Sequence, residues 1–355
     1  MLKGKAVKYE KKVISRDLPK CYAIGMFNDG STNSILIGVE KKGPIVRFAL
    51  DGSLIDTPVS GPGGVMTLVQ VPGRTDQFLS TTEFYSPNCG GDHARISSYT
   101  KQPDGSWKCA TLVNMPYVHR FGILKNTSGN LFLLACTIKS ACEYKNDWRF
   151  PGKIFGGKLS HHLEEFTSKH SLPLKVLKEQ QLKNHGFYTA PDRSYALIGT
   201  NEGCFKFEPP ESDLDSWKIK KLFSEQVSDI SVTDFDNDGQ NEIISISPFH
   251  GNTLTIWHKD REGLFTKQWV DPQKREFLHA IWAGVLCGQP CAIVGHRKGD
   301  RDLIRVFFDD GDFHIEKIDH DRGPTNCWVF SGGNLDKIVA ANRETDEVAF
   351  YTPYN

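Results

Sequence analysis

Long apolar runs are missing from this sequence of 355 residues. The stretch from Met1 to Lys12 is rich in lysine and lacks the apolar core of a secretory signal peptide, so we expect no leader. No later segment approaches the roughly eighteen apolar residues that a membrane-spanning helix requires. We therefore expect a cytoplasmic protein that has no membrane partner.

Net charge and paired cysteines are missing too. Lysine plus arginine and aspartate plus glutamate number 43 each, so no basic field favours a nucleic-acid partner. The nine cysteines include no Cys-x-x-Cys pair, and Cys287 and Cys291 come closest to one. We interpret all nine as reduced thiols, with a zinc or redox role as the less favoured alternative.

Several enzyme signatures are also missing. The sequence contains no P-loop, no Rossmann glycine pattern, no nucleophile elbow and no His-Glu-x-x-His segment. These absences argue against a kinase, an NAD-dependent enzyme and a serine hydrolase.

What the sequence does contain is a repeated unit. A polar entry, an apolar run, a turn, a second apolar run and an aromatic-rich strand recur at a spacing of about 50 residues, which is typical of propeller blades. The seven entries begin near Cys21, Val65, His119, His185, Val227, His279 and Asn326. This pattern predicts an all-β fold: a seven-bladed β-propeller that forms a single domain over residues 1–355.

Two segments stand outside the repeat. The last unit is one strand short, and the N-terminal residues from Ala6 to Ile14 form a spare strand, so we expect their pairing to close the ring. Residues 140–184 are expected to be a long loop insertion that carries one helical turn near Leu159.

An acidic loop lies between two predicted strands in the fifth unit. Asp234, Asp236, Asp238 and Glu242 alternate along it, Gly239 allows a sharp bend, and the carbonyl of Gln240 adds an oxygen. Alternate residues of a tight loop point inward, so these oxygens can surround one hard cation. We predict a structural Ca²⁺ site, and the alternative is a polar turn without a metal.

The loop spacing resembles the Asp-x-Asp-x-Asp-Gly-x-x-Asp pattern of the FG-GAP (VCBS-type) repeats, which build β-propellers. Only this copy is complete, and Glu242 stands where the pattern usually has aspartate. The resemblance implies the propeller fold, and it says little about chemistry.

In a propeller the first strand of each blade lines the central channel, so polar residues at strand entries and second-strand ends should face one axis. Histidine, lysine and tyrosine can remove a proton next to a carbonyl, and we take as catalytic candidates His119, His185, Lys139 and Tyr85. The substrate-binding candidates are Arg120, Glu83, Asp147, His250, His279, His296, Arg297, Asn326 and Asn342. Channel histidines could instead hold a divalent transition metal.

A propeller with a histidine-lined axis looks similar to the propeller domain of the aldos-2-ulose dehydratases, in which a keto sugar loses water. The resemblance implies a lyase or dehydratase that acts on a sugar or keto-sugar by proton abstraction and β-elimination, with a small carbohydrate-like ligand as partner. The alternative is a binding module that holds a carbohydrate or protein and catalyses nothing.

Overall fold

The computed structural model describes residues 7–212, 214–331 and 335–354. Regular structure in these residues is almost entirely β-strand, and the helical segments among them are two 3-10 turns, Leu163–Glu165 and Arg343–Thr345. The described strands form seven four-stranded antiparallel sheets, and the fold is that of a seven-bladed β-propeller. No helix in the described ranges has the length and hydrophobicity of a membrane span.

The strands follow one another as meanders. The N-terminal strand is β1 (Lys8–Ser15). Sheet 1 contains β2 (Cys21–Asn28), β3 (Asn33–Val39), β4 (Ile45–Ala49) and β5 (Leu54–Val59). Sheet 2 contains β6 (Leu68–Gln70), β7 (Gln77–Thr82), β8 (Arg95–Lys101) and β9 (Trp107–Asn114). Sheet 3 contains β10 (Val118–Lys125), β11 (Leu131–Thr137), β12 (Gly152–Lys158) and β13 (Lys175–Gln181).

The second half of the chain continues in the same way. Sheet 4 contains β14 (Gly186–Thr189), β15 (Ala196–Thr200), β16 (Gly203–Glu208) and β17 (Lys218–Phe223). Sheet 5 contains β18 (Asp229–Thr233), β19 (Glu242–Ser247), β20 (Thr253–Lys259) and β21 (Phe265–Val270). Sheet 6 contains β22 (Leu278–Leu286), β23 (Gln289–His296), β24 (Leu303–Asp309) and β25 (Asp312–Asp319). Sheet 7 contains β26 (Asn326–Ser331), β27 (Asp336–Asn342) and β28 (Glu347–Tyr354), and β1 completes it.

The chain divides into two compact units. The middle unit is Ala23–Glu225, and the terminal unit combines the N-terminal segment up to Tyr22 with the chain from Gln226 onward. In the middle unit, buried apolar side chains fill the space between sheets 3 and 4, including Leu134, Ile198 and Phe205. The outer strand β17 is exposed and rich in lysine, which protects the sheet edge from pairing with other chains.

The N-terminal strand closes the last sheet, as the sequence predicts. β1 pairs antiparallel with β28, from Lys8 opposite Tyr354 to Val13 opposite Ala349. Ala6, where the predicted strand begins, lies outside the described residues. Lys11 supports this pairing because its amine contacts the carboxylates of both Asp319 and Glu347.

Residues 140–184 differ from the expected loop insertion, since they contain two strands of sheet 3. β12 and β13 occupy part of this segment, and loops precede and separate them. The apolar residues of β12 are interrupted by Gly156 and Gly157, which obscures the strand pattern in the sequence. The expected helical turn is present as the 3-10 turn Leu163–Glu165.

Candidate functional site

A β-bulge at the start of β10 presents His119. Val118 pairs with Thr137 and Arg120 pairs with Cys136, so His119 is the extra residue between two regular pairs. Bulges interrupt the alternation of a strand and re-aim a side chain, and they are frequent beside active sites. The His119 side chain is buried, at 3% exposure.

The imidazole of His119 packs against that of His185, the residue that immediately precedes β14. Their ring centroids are 4.5 Å apart, and the ring of Phe84 packs on His119 in a T-shaped arrangement with centroids 5.0 Å apart. Gly122 allows β10 and β14 to approach, because a Cβ at this position would lie 2.6 Å from the ring of Phe187. The first strands of two neighbouring sheets therefore bring two buried imidazoles together.

Lys139 lies at the same end of sheet 3 as His119. The pairing of Val118 with Thr137 is extended by a hydrogen bond in which the amide of Ile138 donates to the carbonyl of Tyr117 at 3.0 Å. The Lys139 amine donates to the carbonyl of Asp147 and lies 4.0 Å from the centroid of the Trp148 ring. Desolvation by burial lowers the pKa of Lys139, which increases the fraction of neutral amine near neutral pH.

Hydrogen bonds within the loop after β11 hold the side chain of Asp147. Its carboxylate accepts hydrogen bonds from the Arg149 guanidinium at 2.8 Å and from the amide of Glu143 at 3.1 Å. The hydrogen bond from Arg149 is the main cause that lowers the pKa of Asp147. Asp147 thus meets Lys139 through its backbone carbonyl, while its carboxylate orders the loop.

A second lysine shares the indole of Trp148. The amine of Lys183 lies 5.5 Å from the Trp148 centroid, and Lys183 comes two residues before His185. Between them, Asn184 is fully buried and donates to the carbonyl of Lys153 at 3.2 Å. The ring of Trp148 thus links the loop of sheet 3 to the segment that leads into sheet 4.

Three further candidates of the middle unit contact neighbouring loops and strands. The hydroxyl of Tyr85 donates to the carbonyl of Pro62 at 3.3 Å, and desolvation raises its pKa. Glu83 forms an ion pair with Arg95. Arg120 donates to the carbonyl of Met66. These three contacts stabilise the loops around β7 and β10.

A second histidine pair lies in the terminal unit. Nδ1 of His279 lies 2.7 Å from the carbonyl oxygen of Thr325, which can only accept, so Nδ1 carries the proton. In the neutral ring Nε2 therefore accepts from the hydroxyl of Tyr22 at 3.2 Å. His250 stacks on Phe277 with ring centroids 4.5 Å apart and lies 5.1 Å from His279.

The remaining candidates of the terminal unit lie in hydrogen-bonded turns and strands. The ring of His296 bonds to the carbonyl of Lys298 at 2.9 Å and accepts from the amide of Asp302 at 3.1 Å, so it closes a hairpin. Desolvation lowers the pKa of His296. Arg297 pairs with Glu344 at 2.7 Å.

Two asparagines complete the set of predicted residues. Asn326 starts β26 opposite Ala341 and is half-buried. Asn342 is fully buried at the end of β27, where its amide donates to Glu347 at 3.1 Å and to the Tyr351 hydroxyl at 2.9 Å. Asn342 therefore supports the sheet that β1 closes.

The acidic loop connects β18 and β19 as predicted from its flanks. Carboxylate oxygens of Asp234, Asp236 and Glu242 lie within 4.8 Å of one another, and so do ligand atoms of Asp236, Asp238 and His258. The amide of Gly239, at a φ of 89°, donates to Asp234 at 3.0 Å, and the amide of Gln240 donates to Asp238 at 2.7 Å.

His258 is the residue of this loop region that the sequence reasoning missed. Its Nδ1 lies 2.9 Å from a carboxylate oxygen of Glu242. Desolvation raises the pKa of Glu242, and the hydrogen bond to Glu242 raises the pKa of His258. Strand register could have found it, because Ile243 pairs with Trp257 and the next residues outward are Glu242 and His258.

A cavity of about 370 Å³ also opens in the middle unit. It is lined by Val113, Asn114, Met115, Pro116, Thr137, Ser140, Lys153, Phe155, Leu172 and Leu174. The lining is mainly apolar and does not include the histidine pair or Lys139. We therefore place the candidate chemistry at the His119–His185 pair and treat this cavity as a separate feature.

Comparison with known proteins supports the fold. No family model matches the chain, and no curated protein matches its sequence. Among solved structures, a putative 6-phosphogluconolactonase from Bacteroides fragilis is similar, with a TM-score of 0.57 and 14% sequence identity. The match covers 92% of this chain and 88% of that one. At this identity, the likeness supports the propeller architecture and no more.

Proposed function

We propose that the protein is a carbohydrate-active lyase or dehydratase. The reaction removes a proton next to the carbonyl of a sugar or keto-sugar and expels a β-hydroxyl as water. The observation that carries the proposal is the buried contact between His119 and His185, at the end of the sheet where Lys139 also lies. Two buried imidazoles packed against each other are candidates for general acid–base catalysis.

The residues divide between proton removal and proton delivery. Lys139 is the proposed base, because its lowered pKa favours the neutral amine that can accept a proton from carbon. The electron pair of that C–H bond forms the new double bond, and the β C–O bond breaks. A protonated imidazole of His119 or His185 donates its proton to the departing hydroxyl, which leaves as water.

A sugar-like substrate is favoured by two independent considerations. Trp148 beside Lys139 is half-buried and offers an aromatic surface of the kind that stacks on sugar rings. The structurally similar protein is named a putative 6-phosphogluconolactonase. The proposed ligand is a small polyol or keto-sugar.

The proposal is tested by assaying the purified protein on a panel of keto-sugars. Elimination is followed by the absorbance of the unsaturated carbonyl product. His119→Gln, His185→Gln and Lys139→Met should each lose turnover, while His161→Gln, an exposed histidine, should keep it. If no keto-sugar is turned over, or if all three variants stay active, the lyase proposal fails.

Two metal sites belong to the proposal. A Ca²⁺ ion held by Asp234, Asp236, Asp238, Glu242 and the carbonyl of Gln240 would neutralise the carboxylates of the acidic loop and would stabilise it. A divalent transition metal at the channel histidines would polarise the substrate carbonyl, since imidazole suits such ions. Metal analysis of the purified protein separates the two: calcium alone leaves the acid–base site metal-free.

The second candidate function is a non-catalytic binding module. It is favoured by large apolar side chains exposed on neighbouring first strands of the terminal unit, Val285 of β22 at 54% and Trp328 of β26 at 43%. An exposed tryptophan is a common anchor at protein interfaces. Binding of a partner that Trp328→Ser abolishes, together with no turnover on any keto-sugar, would favour the module.

A further inference from the structure

We propose that Cys89 and Cys142 form a reversible redox site in which an intramolecular disulfide joins two loops of the middle unit. Both residues are free thiols, Cys89 is exposed, and Cys142 is half-buried. Their sulfur atoms lie 2.6 Å apart although 53 residues separate them in sequence. The disulfide does not require the proposed lyase activity, although Lys139 contacts Cys142 as well.

The two loops are built to hold the sulfurs together. Ser86 and Gly90 exchange backbone hydrogen bonds, which confines Cys89 to a tight turn after β7, where it adopts a φ of 56°. The amide of Asn146 donates to the side chain of Asn88 at 2.8 Å, and this bond ties the turn to the loop after β11. The short distance between the two sulfur atoms therefore follows from the backbone conformation of both loops.

The hydrogen bonds assign different roles to the two sulfurs. The thiol of Cys142 donates to the carbonyl of Tyr144 at 3.2 Å, so its sulfur accepts from the Cys89 thiol. The amine of Lys139 also donates to this sulfur at 3.8 Å. Because the Cys89 thiol and the Lys139 amine both face the Cys142 sulfur, we assign Cys142 as the attacking nucleophile. The hydrogen bond to Cys142 also raises the pKa of Cys89 to about 11, which fits a resolving thiol that reacts second.

The chemistry balances with a peroxide as the oxidant. The Cys142 thiolate attacks one peroxide oxygen, the O–O bond breaks, and the hydroxide that leaves takes up the thiol proton as water. The Cys89 sulfur then attacks the sulfenic sulfur of Cys142, the S–O bond breaks, and a second water leaves with the Cys89 proton. Two thiols lose two electrons and two protons in total, and a dithiol reductant reverses the change.

The experiment treats the full-length protein with hydrogen peroxide and alkylates the remaining thiols after denaturation. Two of the nine cysteines should become unreactive and should recover with dithiothreitol, and peptide mass spectrometry should find Cys89 linked to Cys142. The linked protein should melt a few degrees higher, since the crosslink restricts the unfolded chain. Cys109→Ser, at another exposed cysteine, should form the bond as the wild type does.

Variants of the pair test the assigned order. Cys89→Ser should stop at a sulfenic acid on Cys142 that dimedone labels, and Cys142→Ser should give much less label. Lys139→Met should slow the crosslinking several-fold. The proposal is overturned if peroxide leaves both thiols free, if it oxidises them singly without a link, or if Cys109 is linked as readily.

Discussion

His119 and His279 occupy the same position in two different sheets: each is the extra residue of a β-bulge in a first strand. In β10 the bulge lies between Val118 and Arg120, and in β22 it lies between Leu278 and Ala280. Both histidines are buried, at 3% and 2% exposure. In both sheets a β-bulge thus changes the direction of an imidazole from the regular alternation of side chains along the strand.

The first prediction concerns the pH dependence of turnover. If Lys139 is the base, kcat/KM should rise as the pH increases through its pKa, which lies below the ordinary 10.5 because burial disfavours the ammonium form. Lys139→Met should lower kcat/KM by about 10² to 10⁴ and remove this limb, as expected for loss of a general base. A pH–rate profile of both proteins checks the prediction, and an unchanged limb in Lys139→Met would contradict it.

The second prediction concerns acid stability of the closing strand. Burial raises the pKa values of Asp319 and Glu347 and is the largest single cause. The hydrogen bonds from Lys11, together with those from Tyr351 to Asp319 and from Asn342 to Glu347, outweigh it and leave both pKa values lowered. A carboxyl whose pKa is lower in the folded state than in the unfolded state stabilises the fold at pH values above its unfolded pKa. This stabilisation is lost as the pH falls through its folded pKa. The free energy of unfolding should therefore drop below about pH 4.

Removal of Lys11 tests this network. Lys11→Met should cost about 2 kcal/mol at pH 7, between the values for exposed and buried ion pairs, because Arg16 still contacts Glu347. The pH dependence below pH 5 should become shallower. Lys8→Met, in the same strand and exposed, is the control. Urea unfolding at several pH values gives the numbers, and equal acid sensitivity in Lys11→Met and Lys8→Met would be evidence against the network.

The third prediction concerns the acidic loop. Addition of Ca²⁺ to metal-stripped protein should raise the melting temperature, because ion binding to the folded state stabilises it. Asp236→Asn should weaken this shift, since Asp236 belongs to both groups of clustered ligand atoms. Asp260→Asn, in a turn of the same sheet, should leave it intact. A Ca²⁺ shift that persists in Asp236→Asn would place the ion elsewhere.

The fourth prediction concerns the approach of β10 and β14. Gly122→Ala should destabilise the protein by about 1 to 3 kcal/mol and reduce turnover, because the new Cβ would overlap the ring of Phe187. Combination with Phe187→Leu should recover part of both losses by making room. Thermal melts and turnover of the two single variants and the double variant form a double-mutant cycle. Strictly additive effects of the two substitutions would argue against the contact.

Much of the fold could be predicted because each strand produces a local pattern of polar and apolar residues. The polar entry near His119 and the apolar run from Leu131 follow each other in the sequence, so each blade can be recognised from a local pattern. The spare N-terminal strand followed from a last unit that lacked one strand. In contrast, β12 was hidden in a segment whose glycines weaken the strand pattern.

The site was harder to predict because its contacts depend on loop geometry. The sequence predicts Asp147 as a substrate-binding residue, but Arg149, two residues away, binds its carboxylate, and Lys139 contacts its backbone carbonyl. Trp148 packs against Lys139, and the sequence alone does not predict this contact. The contact between Cys89 and Cys142 leaves no trace in their spacing. Such pairings come from the folded loops and have no sequence period.

The most direct test of the proposed chemistry is deuterium exchange in the keto-sugar substrate. Wild-type protein in D₂O should exchange or eliminate the proton next to the carbonyl, as followed by NMR. The double variant His119→Gln/His185→Gln should lose at least about 100-fold in elimination rate while its circular dichroism stays that of the folded propeller. Elimination at the wild-type rate in the folded double variant would contradict the account.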